Sequence, residues 1–276
     1  MIYNPPIISE KIKLNNKNLY LFNDTIFGGT KVRFLQYRFS LLNDNITEII
    51  YVGPYTGMAQ IALGALCLKY KLKCKIFLNT EYNNNIEHNP LVKFGKTKLR
   101  INYDFIKKGR TLKNTLKDAK KYFLNDSSRF LFPFGMNEED YLSFYAKILK
   151  NAIKKLKQPK RMWLVVGSGT ILRLFQMIWP ETQYLCVQVG KQIYKEYLEP
   201  RKLYNGNIVQ DLVYIAPEEF TTNAEIQPPY QTIPWYDAKL WRFVLENAND
   251  RDAIFNIATM PKINKLKELL NNINKI

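Results

Sequence analysis

Apolar runs of strand length alternate along the chain with longer stretches whose apolar residues recur at helical spacing, which is the signature of an α/β protein with a largely parallel sheet. Residues 19–22 predict a short strand. Residues 46–52 predict a buried strand that runs through Gly53-Pro54 into a helix from about Gly57 to Tyr70. Residues 74–78 predict the next strand, and the Asn-rich stretch 81–89 a loop. A basic helix over 111–123, a short strand over 130–132 and a long helix over 138–156 follow. A Lys-rich linker over 154–161 then leads to a strand over 162–166, a turn at Gly167-Ser168-Gly169-Thr170 and a helix over 171–178. Further strands are expected over 184–189 and 211–215, and helices over 238–246 and 262–276.

With 276 residues, 46% of them apolar, the chain can bury a full core, either as one large domain or as two lobes. No run approaches the roughly 20 apolar residues of a membrane span, and no secretory signal pattern opens the chain. The expected setting is therefore cytoplasmic, or the host cytoplasm if the chain is viral, without a membrane partner. Cys67, Cys74 and Cys186 lie in apolar contexts, and His88 is the single histidine, in the Asn-rich loop near Glu81 and Glu87. Neither a disulfide framework nor a metal site is expected from them.

Charge changes the picture. The chain has 41 Lys and Arg against 24 Asp and Glu, a formal +17. Such a field attracts polyanions, so nucleic acid is a possible partner; the other reading is the codon bias of an AT-rich genome. Lys107-Lys108-Gly109-Arg110, Lys117 to Lys121 and 154–161 are solvated faces or parts of one polyanion track.

Two glycine turns are the candidate chemistry. Phe27-Gly28-Gly29-Thr30-Lys31-Val32-Arg33 sets a lysine just after a flexible turn, where a desolvated amine would become nucleophilic toward an aldehyde. Gly167-Ser168-Gly169-Thr170 joins a strand to a helix, where free N–H groups and the helix dipole suit a phosphate. Together they suggest a phosphorylated cofactor served by a lysine.

Gly28-Gly29-Thr30-Lys31-Val32-Arg33 resembles the Gly-Gly-Asn-Lys-x-Arg motif of the aminocyclopropane-carboxylate deaminase and D-cysteine desulfhydrase family. These are pyridoxal-phosphate (PLP) enzymes of the tryptophan-synthase-β type, fold type II. Further segments are similar in the same order: Pro6-Ile7, Leu19-Tyr20-Leu21, Tyr55-Thr56-Gly57-Met58-Ala59, Phe132-Pro133-Phe134-Gly135 with Asn137, Val165 through Thr170, and Pro234-Trp235-Tyr236-Asp237-Ala238-Lys239. The resemblance implies two lobes, each with a mostly parallel sheet flanked by helices and a cofactor cleft between them. Residues 1–45 and 146–276 would form a large cofactor-binding lobe, and 46–145 a small inserted one.

The resemblance also implies roles. Lys31 would be the Schiff-base lysine and acid or base at the substrate α-carbon. Gly167, Ser168, Gly169 and Thr170 would cradle the phosphate, Tyr236 would face the substrate, and Asp237 would meet the pyridine nitrogen. A second reading of Asp237, from spacing, is a helix N-cap. Tyr55, Thr56 and Gly57 would lie at the substrate. Departures from the pattern are plain: Pro54 and Tyr55 replace small polar residues, the phosphate loop is one glycine short, and of a closing His-Thr-Gly-Gly-x-Pro wall only Thr259 remains in Ala258-Thr259-Met260-Pro261.

The leading expectation is a PLP-dependent lyase or deaminase acting at the α- or β-carbon of an amino acid or amino-acid-like group, with a possible homodimer. One rival works on an aminoacyl-type group attached to DNA, as in phage base hypermodification. The other is a non-catalytic basic nucleic-acid-binding protein that keeps the fold.

Overall fold

The computed structural model describes residues 2–79, 86–104, 111–190 and 195–273. In chain order its elements begin with β1 (Ile8–Leu14), β2 (Lys17–Asn23), α1 (Lys31–Phe39), β3 (Glu48–Pro54), α2 (Ala59–Tyr70), β4 (Lys73–Asn79), α3 (Pro90–Lys98) and β5 (Asn102–Asp104). They continue with α4 (Leu112–Leu124), β6 (Arg129–Leu131), α5 (Leu142–Ala152), β7 (Arg161–Val166), α6 (Thr170–Ile178) and β8 (Gln183–Gln188). The last are β9 (Arg201–Lys202), β10 (Ile208–Val209), β11 (Leu212–Ile215), α7 (Trp241–Asn247), β12 (Ala253–Asn256) and α8 (Ile263–Ile273). The chain divides into two compact units.

One unit comprises Met1–Tyr3, Ile26–Glu138 and Pro261–Ile276. Its described residues form a four-stranded, fully parallel sheet in the order β5-β4-β3-β6. β3 is buried almost throughout, as expected for a central parallel strand covered on both faces. On one face, Leu112, Leu116, Ala119 and Phe123 of α4 close over Ile50, Val52 and Phe77. Their spacing is the apolar stripe that the basic helix over 111–123 was expected to show, and Thr111 caps it by accepting the Asn114 N–H.

The other unit comprises Asn4–Thr25 and Glu139–Met260. Its six-stranded sheet, counted among the described residues, has the order β1-β2-β12-β7-β8-β11, parallel except for the β1–β2 hairpin. Trp163, Val165, Leu185, Val187 and Ile254 from its central strands pack with Leu240, Trp241 and Val244. β7 ends at Val166 and the chain turns at once into α6, so Gly167–Thr170 occupies the carboxyl edge of the sheet, the edge at which α/β proteins bind ligands.

Several elements differ from the sequence reading. The helix expected over 138–156 is a short 3₁₀ turn followed by α5, which stops at Ala152; there the Ile7 N–H takes the Ala152 carbonyl at 2.9 Å. The helix over 238–246 begins as a 3₁₀ turn, Asp237–Leu240, ahead of α7. β1, α1, α3, β5 and β12 were not anticipated. Part of the Asn-rich loop, including Glu81, and the basic residues Lys107, Lys108 and Arg110 lie outside the described residues. No helix among the described residues is long and apolar enough to cross a membrane.

Candidate functional site

Lys31 opens α1. Gly28 and Gly29 precede it at φ +84° and +75°, a region that strongly favours glycine. A Cβ on Gly28 would come within 2.9 Å of the Ala62 backbone in α2, so the turn is pressed against that helix. The Lys31 amine is enclosed, although the residue keeps some surface, and donates to the Gly135 carbonyl at 3.0 Å. Burial lowers its pKa to about 8, because removing water disfavours the ammonium.

Gly135 sits at φ +69° in the turn after Pro133, within the segment that resembles the family's Pro-x-Gly turn. Its N–H donates to the Tyr51 hydroxyl at 3.4 Å. Burial pushes the Tyr51 phenol up to about 12, so it stays neutral. The ring of Tyr51 lies where a Cβ on Gly53 would be, 2.7 Å from that point, so Gly53 makes room for it. Sequence reasoning left Tyr51 inside a buried strand. The one signal available was a tyrosine two positions ahead of a strand glycine.

In the same unit Tyr55 and Thr56 are buried and Gly57 is half-buried. The Gly57 N–H closes a turn on the Pro54 carbonyl at 3.0 Å, and Gln60 donates to the Tyr55 carbonyl at 2.7 Å. The Gln60 Oε1 is buried without a partner, an acceptor that sequence reasoning did not single out.

In the other unit, Gly169 takes φ +80° as the cap of α6 and Thr170 is buried as its first residue. The Ser168 and Thr170 hydroxyls stand 3.2 Å apart. The Tyr236 hydroxyl lies over this loop: a Cβ on Gly167 would be 2.8 Å from it. Phe220 meets the Tyr236 ring edge to face at 6.5 Å, and Lys239, buried, holds the preceding turn through the Glu219 carbonyl at 2.6 Å.

Asp237 is buried, and neither of its carboxylate oxygens meets a donor in hydrogen-bond geometry. The reading as a helix N-cap is therefore not realised. Burial pushes its pKa up to about 8, outweighing the nearby amides of Ile257 and Ala258, which pull it down. Tyr230, whose hydroxyl is also buried without a partner, is pushed up by burial and by the Asp237 charge. Thr259 follows these amides and is half-exposed.

Asn256, at the end of β12, was missed by the sequence reading. It donates to the Asn23 side chain at 2.9 Å and accepts from Thr232 at 2.7 Å, tying the carboxyl ends of β2 and β12 together.

Other candidates fall away. His88 is exposed. All three cysteines are buried, and burial pushes the Cys67 and Cys186 thiols well up, which makes them core residues and poor nucleophiles. No group of three potential ligands among the described residues could hold a metal ion.

No family model and no curated protein matches the chain. Solved structures do. An ACC deaminase homologue aligns at TM-score 0.65 with 13% identity, over 99% of this chain and 95% of its own. A hydrogen sulfide-producing enzyme from Fusobacterium nucleatum aligns at 0.57 with 15% identity, over 95% and 97%. The processed form of threonine deaminase isoform 2 from Solanum lycopersicum aligns at 0.56 with 12% identity, over 99% and 84%. At such identities the likeness is one of fold, and the fold is the fold type II, tryptophan-synthase-β architecture that the sequence motifs implied.

Proposed function

We propose that this protein is a PLP-dependent enzyme of the lyase or deaminase kind, acting at the α- or β-carbon of an amino acid or amino-acid-like group. The observation that carries the reading is Asp237, a buried carboxyl group whose oxygens meet no donor in hydrogen-bond geometry, with only the Ile257 and Ala258 amides nearby. An unmet buried acid is costly, and a ring N–H is a partner that would satisfy it. The other candidate residues of each unit have the chemistry that this cofactor would need. Gly167 to Thr170 would take the phosphate at the start of α6, where free N–H groups and the helix dipole meet a dianion. Lys31 offers an amine that is substantially neutral near pH 8, the form that attacks an aldehyde.

Bound PLP supplies an electron sink for charge developing at the substrate carbon. The chain's own residues would do the rest. Asp237 would face the ring nitrogen and favour its protonated form. Lys31 would be the acid or base that moves the proton at the substrate α-carbon. The Tyr236 hydroxyl, over the glycine loop, would face the substrate. The names of the similar solved structures support the kind of reaction, and Pro54 and Tyr55, where the family has small polar residues, leave the substrate open.

Titration of the purified protein with PLP tests this. A band at about 420 nm, lost in Lys31→Ala and traceable after borohydride reduction to the Lys31 peptide, is expected. Absence of the band, or an adduct that persists in Lys31→Ala, overturns the proposal.

A further inference from the structure

The excess of positive charge is not shared evenly. The unit formed by residues 1–3, 26–138 and 261–276 holds 23 Lys and Arg against 9 Asp and Glu, a formal +14. The other holds 18 against 15, a formal +3. Codon bias toward lysine acts along the whole chain and gives no reason for one unit to carry most of the imbalance.

Within the basic unit, α4 presents the most regular array. Lys113, Lys117, Lys120 and Lys121 are all exposed and stand at i, i+4, i+7 and i+8, one stripe on one face. None of the four forms an ion pair with another described residue. At a rise of about 1.5 Å per residue the stripe runs about 12 Å. Beside the end of the helix, the Lys75 amine and the Arg129 guanidinium lie 4.3 and 3.7 Å from the Tyr122 ring centre. Arg129 is also paired with Glu48, so Lys75 is the part of this cluster that extends the field.

We propose that this face of α4 docks the phosphate backbone of a nucleic acid. A lipid surface is disfavoured because the apolar side of α4 is spent on the sheet: Leu112, Leu116, Ala119 and Phe123 pack against β3 and β4, leaving Leu124 as the exposed apolar residue of the helix. Binding is sequence-independent, since lysine contacts to phosphate carry no base information and the Tyr122 ring is already engaged by two cations.

The test is fluorescence anisotropy of a labelled DNA duplex against the full chain across a salt series. Four phosphate contacts give a slope of about −3.6 in log K against log salt, a loss of about 150-fold between 50 and 200 mM. The variant Lys113→Gln, Lys117→Gln, Lys120→Gln, Lys121→Gln is expected to flatten that slope to near zero. The matched control, Lys150→Gln, Lys154→Gln, Lys155→Gln, Lys157→Gln, removes the same charge from exposed positions of the other unit and is expected to leave it nearly unchanged. All eight positions are exposed, and unfolding curves of both variants confirm that they fold. No binding at low salt, equal loss in the two variants, or binding to phosphatidylserine vesicles but not to DNA each overturns the proposal.

Discussion

The Lys31 amine rests on the carbonyl of Gly135, 3.0 Å away and 104 residues further along the chain. The N–H on the other side of the same residue donates to the buried Tyr51 hydroxyl at 3.4 Å, which helps to fix the turn that presents the carbonyl. The contact opposes desolvation by favouring the ammonium, yet burial prevails and the amine titrates near pH 8 in place of its ordinary 10.5.

Carbon-13 NMR of labelled lysine Cε should therefore show one resonance, absent in Lys31→Ala, with a midpoint near pH 8. In Tyr51→Phe the Gly135 N–H loses its partner and the turn that presents the carbonyl to Lys31 loosens, so the midpoint moves lower and stability drops by about 1 kcal/mol. A midpoint near 10.5 in the wild type would show the amine to be solvated.

Asp237 has a distinct pH signature. Its folded pKa of about 8 lies above the ordinary 3.8, so between these values the folded chain keeps a proton that the unfolded chain has lost. Stability from this group is complete below about pH 4 and falls as pH rises through 8. Asp237→Asn removes the charge. In the protein without cofactor the variant should match the wild type near pH 4 and exceed it by roughly 1–3 kcal/mol at pH 9, read from urea midpoints. A difference that is constant with pH would sink the assignment.

Gly28 and Gly206 share φ +84°, but they differ in surroundings: the Ala62 backbone crowds Gly28, while nothing lies within 4 Å of a Cβ on Gly206. Gly206→Ala should cost about 1 kcal/mol, the strain of the backbone alone. Gly28→Ala adds a clash against helix backbone and should cost about 2–4 kcal/mol by urea unfolding. Equal losses would mean that α1 and α2 can separate freely.

How much of this was legible follows the range of the signals. The alternation of strand-length and helix-length apolar runs is local, and it marked β3, α2, β4, α4, β7 and α6 to within a few residues. The two glycine turns were legible for the same reason: a positive φ at Gly28, Gly29 and Gly169 selects glycine at the residue itself. Motif order along the chain carried the fold class.

What the sequence could not decide depends on partners far along the chain. β12 has four residues, Ala-Ile-Phe-Asn, too few for any period to show, yet it is a central strand because β2 and β7 pair with it on either side. The apolar spacing over 138–156 continues past Ala152, but the helix ends where Ile7 takes its carbonyl. Asp237 reads locally as a cap; only tertiary burial, which strips water from it and brings no donor into hydrogen-bond geometry, makes it an unmet acid. Local propensity sets which elements form, while the protonation states of Lys31 and Asp237 are set by what the folded chain brings around them.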